Sequence, residues 1–206
     1  MRNHIKIITF VFLVCLNTMD VFSQASTKKS SDLNAKDLYF QRSDTNKNVS
    51  YPGMKYWLEL EGVGPVMDDR IFYSGDRIRI KMRSNHEGYL YLLAYDSSNK
   101  PLVIYPEPDS LGDNRILADV DYSTPGHIVF KPPAANERLT IIFTLENRLP
   151  LNADGLQLIA QDSMRQGSKD LSFERETKDK SKFGGYAVNR NNGPVIIDLI
   201  LKHKAR

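Results

Sequence analysis

Residues able to do chemistry are sparse in this chain, and their spacing excludes most reaction classes. The one cysteine, Cys15, lies in an apolar run near the N-terminus. If that run is removed as a leader, thiolate catalysis and cysteine-rich zinc sites go with it. The remaining histidines are His86 in a turn, His127 at a strand start and His203 near the C-terminus. No H-x-x-x-H or H-E-x-x-H spacing joins them, so a zincin is excluded. No G-x-S-x-G elbow occurs, and "EGVGP" and "FGGY" match neither a phosphate loop nor a dinucleotide fingerprint. Paired carboxylates such as Asp68-Asp69 and Asp119 with Asp121 are present. Glycosidase pairs, however, are defined by a spacing of about 5–9.5 Å in space, not in sequence. No catalytic residue, cofactor or metal is therefore expected.

Two patterns carry more. "EPDSLGDN" and "ADVD" gather Glu107, Asp109, Asp113, Asn114, Asp119 and Asp121 in one region. These are calcium-type oxygen donors without EF-hand spacing; a solvated acidic loop of turn-forming Asp and Asn is the simpler reading. The second pattern is "SGDRIRIKMRSNHEGYLYLLAYD". Arg77, Arg79, Lys81 and Arg83 share one face of its first run, and Tyr89, Tyr91 and Tyr95 share one face of the second. Set side by side and open, they would form a basic and aromatic platform for a glycan or a peptide strand. The plainer alternatives are a solvated strand whose cations discourage edge pairing and tyrosines in a covered layer with hydroxyls at its rim.

The elements that must position these residues follow a period of two. "MKYWLELEG" alternates Tyr56, Leu58 and Leu60 against Lys55, Trp57 and Glu59. "RIRIKMR" sets Ile78, Ile80 and Met82 against the cations, and "YLYLLAYD" is apolar on both faces, as an inner strand should be. With "HEG" as the turn, Gly75 to Asp96 reads as a β-hairpin. "PLVIYPEP", "HIVFKPP" with Ile128 and Phe130, and "ERLTIIFTL" with Leu139, Ile141, Phe143 and Leu145 continue the pattern. The period then changes. Leu156, Ile159, Ala160 and Met164 form a helical stripe behind Asn152 as N-cap, which predicts one short helix near residues 153–166. A charged hairpin with a lysine-rich tip follows, then "PVIIDLILKHKAR", in which Asp198 needs a partner if buried. The fold expected is mainly β: an antiparallel, Ig-like two-layer β-sandwich over residues 51–206.

The first 25 residues read as a signal peptide: basic "MRNHIK", apolar "IITFVFLVCL", then a polar stretch ending in Ser23 and Ala25. The apolar run is too short to cross a hydrocarbon core of about 30 Å. Val14 before Cys15 is not the small residue that lipid attachment favours. Cleavage removes Arg2, Lys6 and Asp20, taking the formal charge from +3 to +2, no footprint for nucleic acid. Residues 26–50 form a polar arm in which only Leu38, Tyr39 and Phe40 could dock. An exported protein built this way holds its shape without disulfides.

Several landmarks together resemble the bacterial family called domain of unknown function 4384. They are Ser74-Gly75-Asp76-Arg77-Ile78-Arg79, Gly88-Tyr89-Leu90-Tyr91, Ile104-Tyr105-Pro106, Asn114-Arg115, Gly126 to Phe130, and Glu137-Arg138-Leu139. The likeness runs over roughly residues 36–204 and departs from the pattern at Ala135-Asn136. It implies an envelope or secreted protein, or a module that accompanies kinase or caspase-like domains, with no reaction attached. The expectation is an exported, non-enzymatic binding or scaffold module of the cell envelope. It would engage an envelope protein or a surface glycan through Arg77, Arg79, Lys81, Arg83, Tyr89, Tyr91 and Tyr95. The alternatives are a polymer hydrolase using the carboxylates between Glu107 and Asp121, and a structural component without ligand.

Overall fold

The computed structural model describes residues 33–41, 50–107, 114–146, 149, 152–166, 171–175 and 183–206. The expected signal peptide and most of the polar arm lie outside these residues, as does the lysine-rich tip. A short helix, α1 (Ala35–Phe40), precedes the strands β1 (Gly53–Leu60), β2 (Gly64–Val66), β3 (Ile71–Tyr73), β4 (Arg77–Ser84), β5 (Gly88–Tyr95) and β6 (Pro101–Tyr105). Three two-residue strands follow, β7 (Arg115–Ile116), β8 (Tyr122–Ser123) and β9 (Ile128–Val129), then β10 (Glu137–Thr144). The chain closes with α2 (Ala153–Gln166), β11 (Leu171–Arg175), β12 (Gly185–Asn189) and β13 (Val195–Lys204).

The strands form two sheets. The larger runs β11-β12-β1-β4-β8, with β2 on β1 and β9 on β4; the smaller runs β3-β13-β10-β5-β6, with β7 on β5. Every pairing is antiparallel except β3 with β13. This is the expected two-layer β-sandwich. The alternation in β1 and β4 buries Tyr56, Leu58, Ile78, Ile80 and Met82 between the layers, facing Leu90, Leu92, Leu139, Ile141, Ile197 and Leu199. Phe72 and Phe130 stack at 4.7 Å within this core. No helix among the described residues is long and apolar enough to cross a membrane.

The hairpin expected from Gly75 to Asp96 does not form. β4 pairs with β1, β8 and β9, whereas β5 pairs with β10, β6 and β7. The connection "NHE" therefore crosses from one layer to the other. Two contacts far off in sequence direct it. The Asn85 side chain accepts from Gly53 N at 2.7 Å and donates to the carbonyls of Tyr39 and Tyr51 at 3.1 Å. Gly88 then passes so close to β10 that a Cβ there would sit 2.4 Å from the Thr144 carbonyl oxygen.

Each outer face carries a helix. α2 is capped as its sequence predicts, Gly155 N donating to Asn152 Oδ1 at 2.6 Å. Its Leu156 and Ala160 cover Tyr91, Leu93, Ile142 and Ile196. α1 begins at Asn34, whose Oδ1 accepts from Asp37 N at 2.7 Å. Ala35, Leu38 and Tyr39 cover Tyr186 and Val188 of β12. The arm thus docks through Leu38 and Tyr39, while Phe40 is left 61% exposed.

Candidate functional site

The cationic stripe stands where the period of two puts it, on the outer face of β4. Because β4 lies inside its sheet, the stripe meets acids on the neighbouring segments. Arg77 Nε lies 3.3 Å from Glu61 Oε2, and Lys81 Nζ lies 3.6 Å from Glu59 Oε2. Arg83 Nε donates to Asp121 Oδ1 at 2.5 Å. The Arg83 hydrogen bond holds the Asp121 carboxyl below the usual carboxylate range and raises Arg83 in turn. Arg79 is the exception. It stands opposite Glu59 in the β1–β4 register, yet its Nε is shielded from solvent with no hydrogen-bond partner among the described residues. A guanidinium N–H left so is a donor without an acceptor.

The tyrosines stand elsewhere. β5 belongs to the other sheet, so Tyr89, Tyr91 and Tyr95 point to the opposite outer face of the sandwich. They do not join Arg77, Arg79, Lys81 and Arg83 in one platform. Tyr91 is fully buried, Tyr95 is 8% exposed, and Tyr89 packs against the same α2-covered cluster. Tyr95 has a further structural task. Its hydroxyl lies 3.1 Å from Thr140 Oγ1, and the Arg138 guanidinium sits 4.5 Å from its ring centroid. Arg138 and Thr140 both donate to Asp198 Oδ1, at 3.0 and 2.8 Å. This gives Asp198 the partners its place in an apolar strand demanded.

The aromatic residue that does stand among the cations is Trp57. Its register partner across β1–β4 is Lys81, and Lys55 Nζ lies 5.5 Å from the Trp57 ring and 5.4 Å from the Tyr186 ring. α1 covers Tyr186 and Val188 at the β12 side and stops there. The outer face of the larger sheet thus offers a half-buried indole with Lys55, Lys81, Arg79 and Arg83 around it. The alternation in "MKYWLELEG" already puts Trp57 and Lys55 outward; the pairing of β1 with β4 was the missing link.

The acidic region does not assemble a site among the described residues. Asp109 and Asp113 lie outside them. Asn114 is buried, with Nδ2 donating to the Leu90 carbonyl at 3.1 Å, so it anchors β5. Asp119 occupies a turn at φ 60°, and Asp121 is engaged by Arg83. No three His, Cys, Asp or Glu of the described residues could together hold a metal ion.

Residues 71–147 match a family model described as domain of unknown function (DUF4384). Over this segment the chain is similar to the DUF4384 family. The match begins at β3 and ends beyond β10, a narrower span than the landmarks between residues 36 and 204 suggested. No curated protein and no solved structure matches the chain. Within the DUF4384 span, the S-G-D-R turn gains a structural account. Asp76 Oδ2 accepts from Tyr73 N at 3.0 Å, its backbone exchanges hydrogen bonds with Tyr73 and Phe130, and its Oδ1 meets Arg206 at 3.0 Å. Asp76 is therefore both a turn residue and a clasp on the C-terminal segment.

Proposed function

We propose that this protein is an exported, non-catalytic binding or scaffold module of the bacterial cell envelope. It engages an acidic envelope protein or surface glycan through the outer face of the larger sheet. The basic, apolar, then small-residue order of the first 25 residues supports export. The observation that carries the binding role is the juxtaposition of Trp57, Lys55, Lys81 and Arg79 on one outer sheet face. An indole flanked by cations suits a sugar ring bearing carboxylates, or an acidic peptide strand.

Trp57 is the only tryptophan, so its fluorescence reports this face alone. A polyuronate should shift or quench its emission saturably, and neutral dextran should not. Arg79→Ala should weaken the response about tenfold, since a charge-assisted hydrogen bond is worth about 1.5–3 kcal/mol. Capture of envelope proteins should fall with Arg79→Ala and Trp57→Ala. Unchanged emission with every acidic polymer, together with identical capture by both variants, would remove this face from consideration. Tyr91→Ala is no test of it, because Tyr91 lies in the core beneath α2.

A further inference from the structure

At one end of the sandwich, the turn after β1, the turn between β3 and β4 and Arg206 line an open cavity of about 330 Å³. Three arginines line it: Arg70, Arg77 and Arg206. Two of them are neutralised within the chain, Arg77 by Glu61 at 3.3 Å and Arg206 by Asp76 at 3.0 Å. Arg70 is held differently. Its Nε reaches only the neighbouring Ile71 carbonyl at 3.4 Å, and its guanidinium lies 5.3 Å from the Phe72 ring centroid. No carboxylate among the described residues pairs with it. Arg70 is therefore the lining guanidinium without an acid partner among the described residues, a planar fork anchored against a buried ring. Leu60, Val63 and Tyr73 supply apolar surface beside it, with Val63 67% exposed and Tyr73 39% exposed at the mouth.

A guanidinium fork matches the two-oxygen edge of a carboxylate or phosphate, and a volume near 300 Å³ is at the small end of ligand pockets. We propose that this cavity binds a small oxyanion, a carboxylate or phosphate group, with Arg70 as its principal contact. Leu60, Val63 and Tyr73 receive the body that carries it. Arg77 and Arg206, each fixed by its acid, shape the rest of the wall. The site is separate from Trp57 and Lys55 and stands whether or not the sheet face binds a polymer.

The test is an amide NMR titration of the full chain with inorganic phosphate, with benzoate, and with benzamide as the neutral control. Saturable shifts are expected at Arg70, Gly75 and Arg77 with phosphate, benzoate or both, and not with benzamide. A tighter response to benzoate identifies a carboxylate on an apolar body; a response to phosphate alone identifies the bare oxyanion. Arg70→Gln should weaken binding about tenfold or more, with Arg70→Lys intermediate, because the lysine keeps the charge and loses the fork. If Arg70→Gln does not fold, Arg206→Ala replaces it. That change bares the Asp76 carboxylate in the cavity and should also weaken binding. Equal shifts with benzamide and benzoate, shifts that never saturate, or undiminished affinity in the folded variant would overturn the proposal. Trp57 emission, read in the same samples, should stay constant, which separates this result from that at the sheet face.

Discussion

Tyr56 buries its ring completely yet carries its hydroxyl to Asp68 Oδ2 at 2.6 Å, and Arg175 Nε closes on the same oxygen at 3.3 Å. Asp68 is 4% exposed while Asp69 is exposed, so the adjacent carboxylates of the sequence are one structural and one solvated group. Burial first, then the hydrogen bond and the charge of Asp68, push the Tyr56 phenol far above its ordinary range. The neutral phenol is the form that folding favours. Its contribution is therefore complete below the unfolded value near 10 and fades as pH climbs beyond it. In a spectrophotometric alkaline titration, Tyr56 should ionise only with unfolding. Tyr56→Phe should lower stability by about 1.5 kcal/mol, the low end for a hydrogen bond to a charged group, because Arg175 still holds Asp68; a denaturant midpoint measures it. Asp198→Ala strips Arg138 and Thr140 of their shared acceptor. Because the Asp198 and Arg138 side chains keep 25% and 27% of their surface in solvent, the loss should be about 1–3 kcal/mol, below that of a fully buried pair.

Among the elements, β1, β4, β10, α2 and β13 were legible because each has a buried face long enough for its period to show. The requirement for a partner at Asp198 was equally plain. α1 was not legible, since six residues complete too few turns to display a stripe; only the apolar cluster of "KDLYF" hinted that it docks. The hairpin reading of β4 and β5 failed for another reason. "HEG" is turn-forming in any context, but whether a turn stays in its sheet was decided by Asn85 gripping three backbone groups and by Gly88 against Thr144. Neither contact is local. That one crossing separates the tyrosines from the cations and leaves Trp57 as the aromatic residue on the basic face. Gly88→Ala should accordingly destabilise the fold by about 1–3 kcal/mol or more, as overpacking against a backbone does, seen as a lower thermal midpoint. Tyr39→Ala should act locally. α1 amides lose their protection from hydrogen exchange while β1, β4 and β10 keep theirs, because α1 packs on the sheet without completing it.

At the scale of the molecule, the matched segment 71–147 contains β3 to β10 but neither β1, β12 nor β13. Those three are central strands: β1 joins β12 to β4, and β13 joins β3 to β10. The excised segment should therefore give a poorly dispersed NMR spectrum and no cooperative unfolding, and adding residues 148–206 alone should not restore the larger sheet, which still lacks β1. A well-dispersed spectrum from 71–147 would mean that the family's core is smaller than the sandwich. The last strand, slotted between β3 and β10, has a bearing on biosynthesis. A ribosome must deliver β13 before the smaller layer can close, and pairings this remote close slowly. Until then β3 has no partner strand and one edge of β10 stays open.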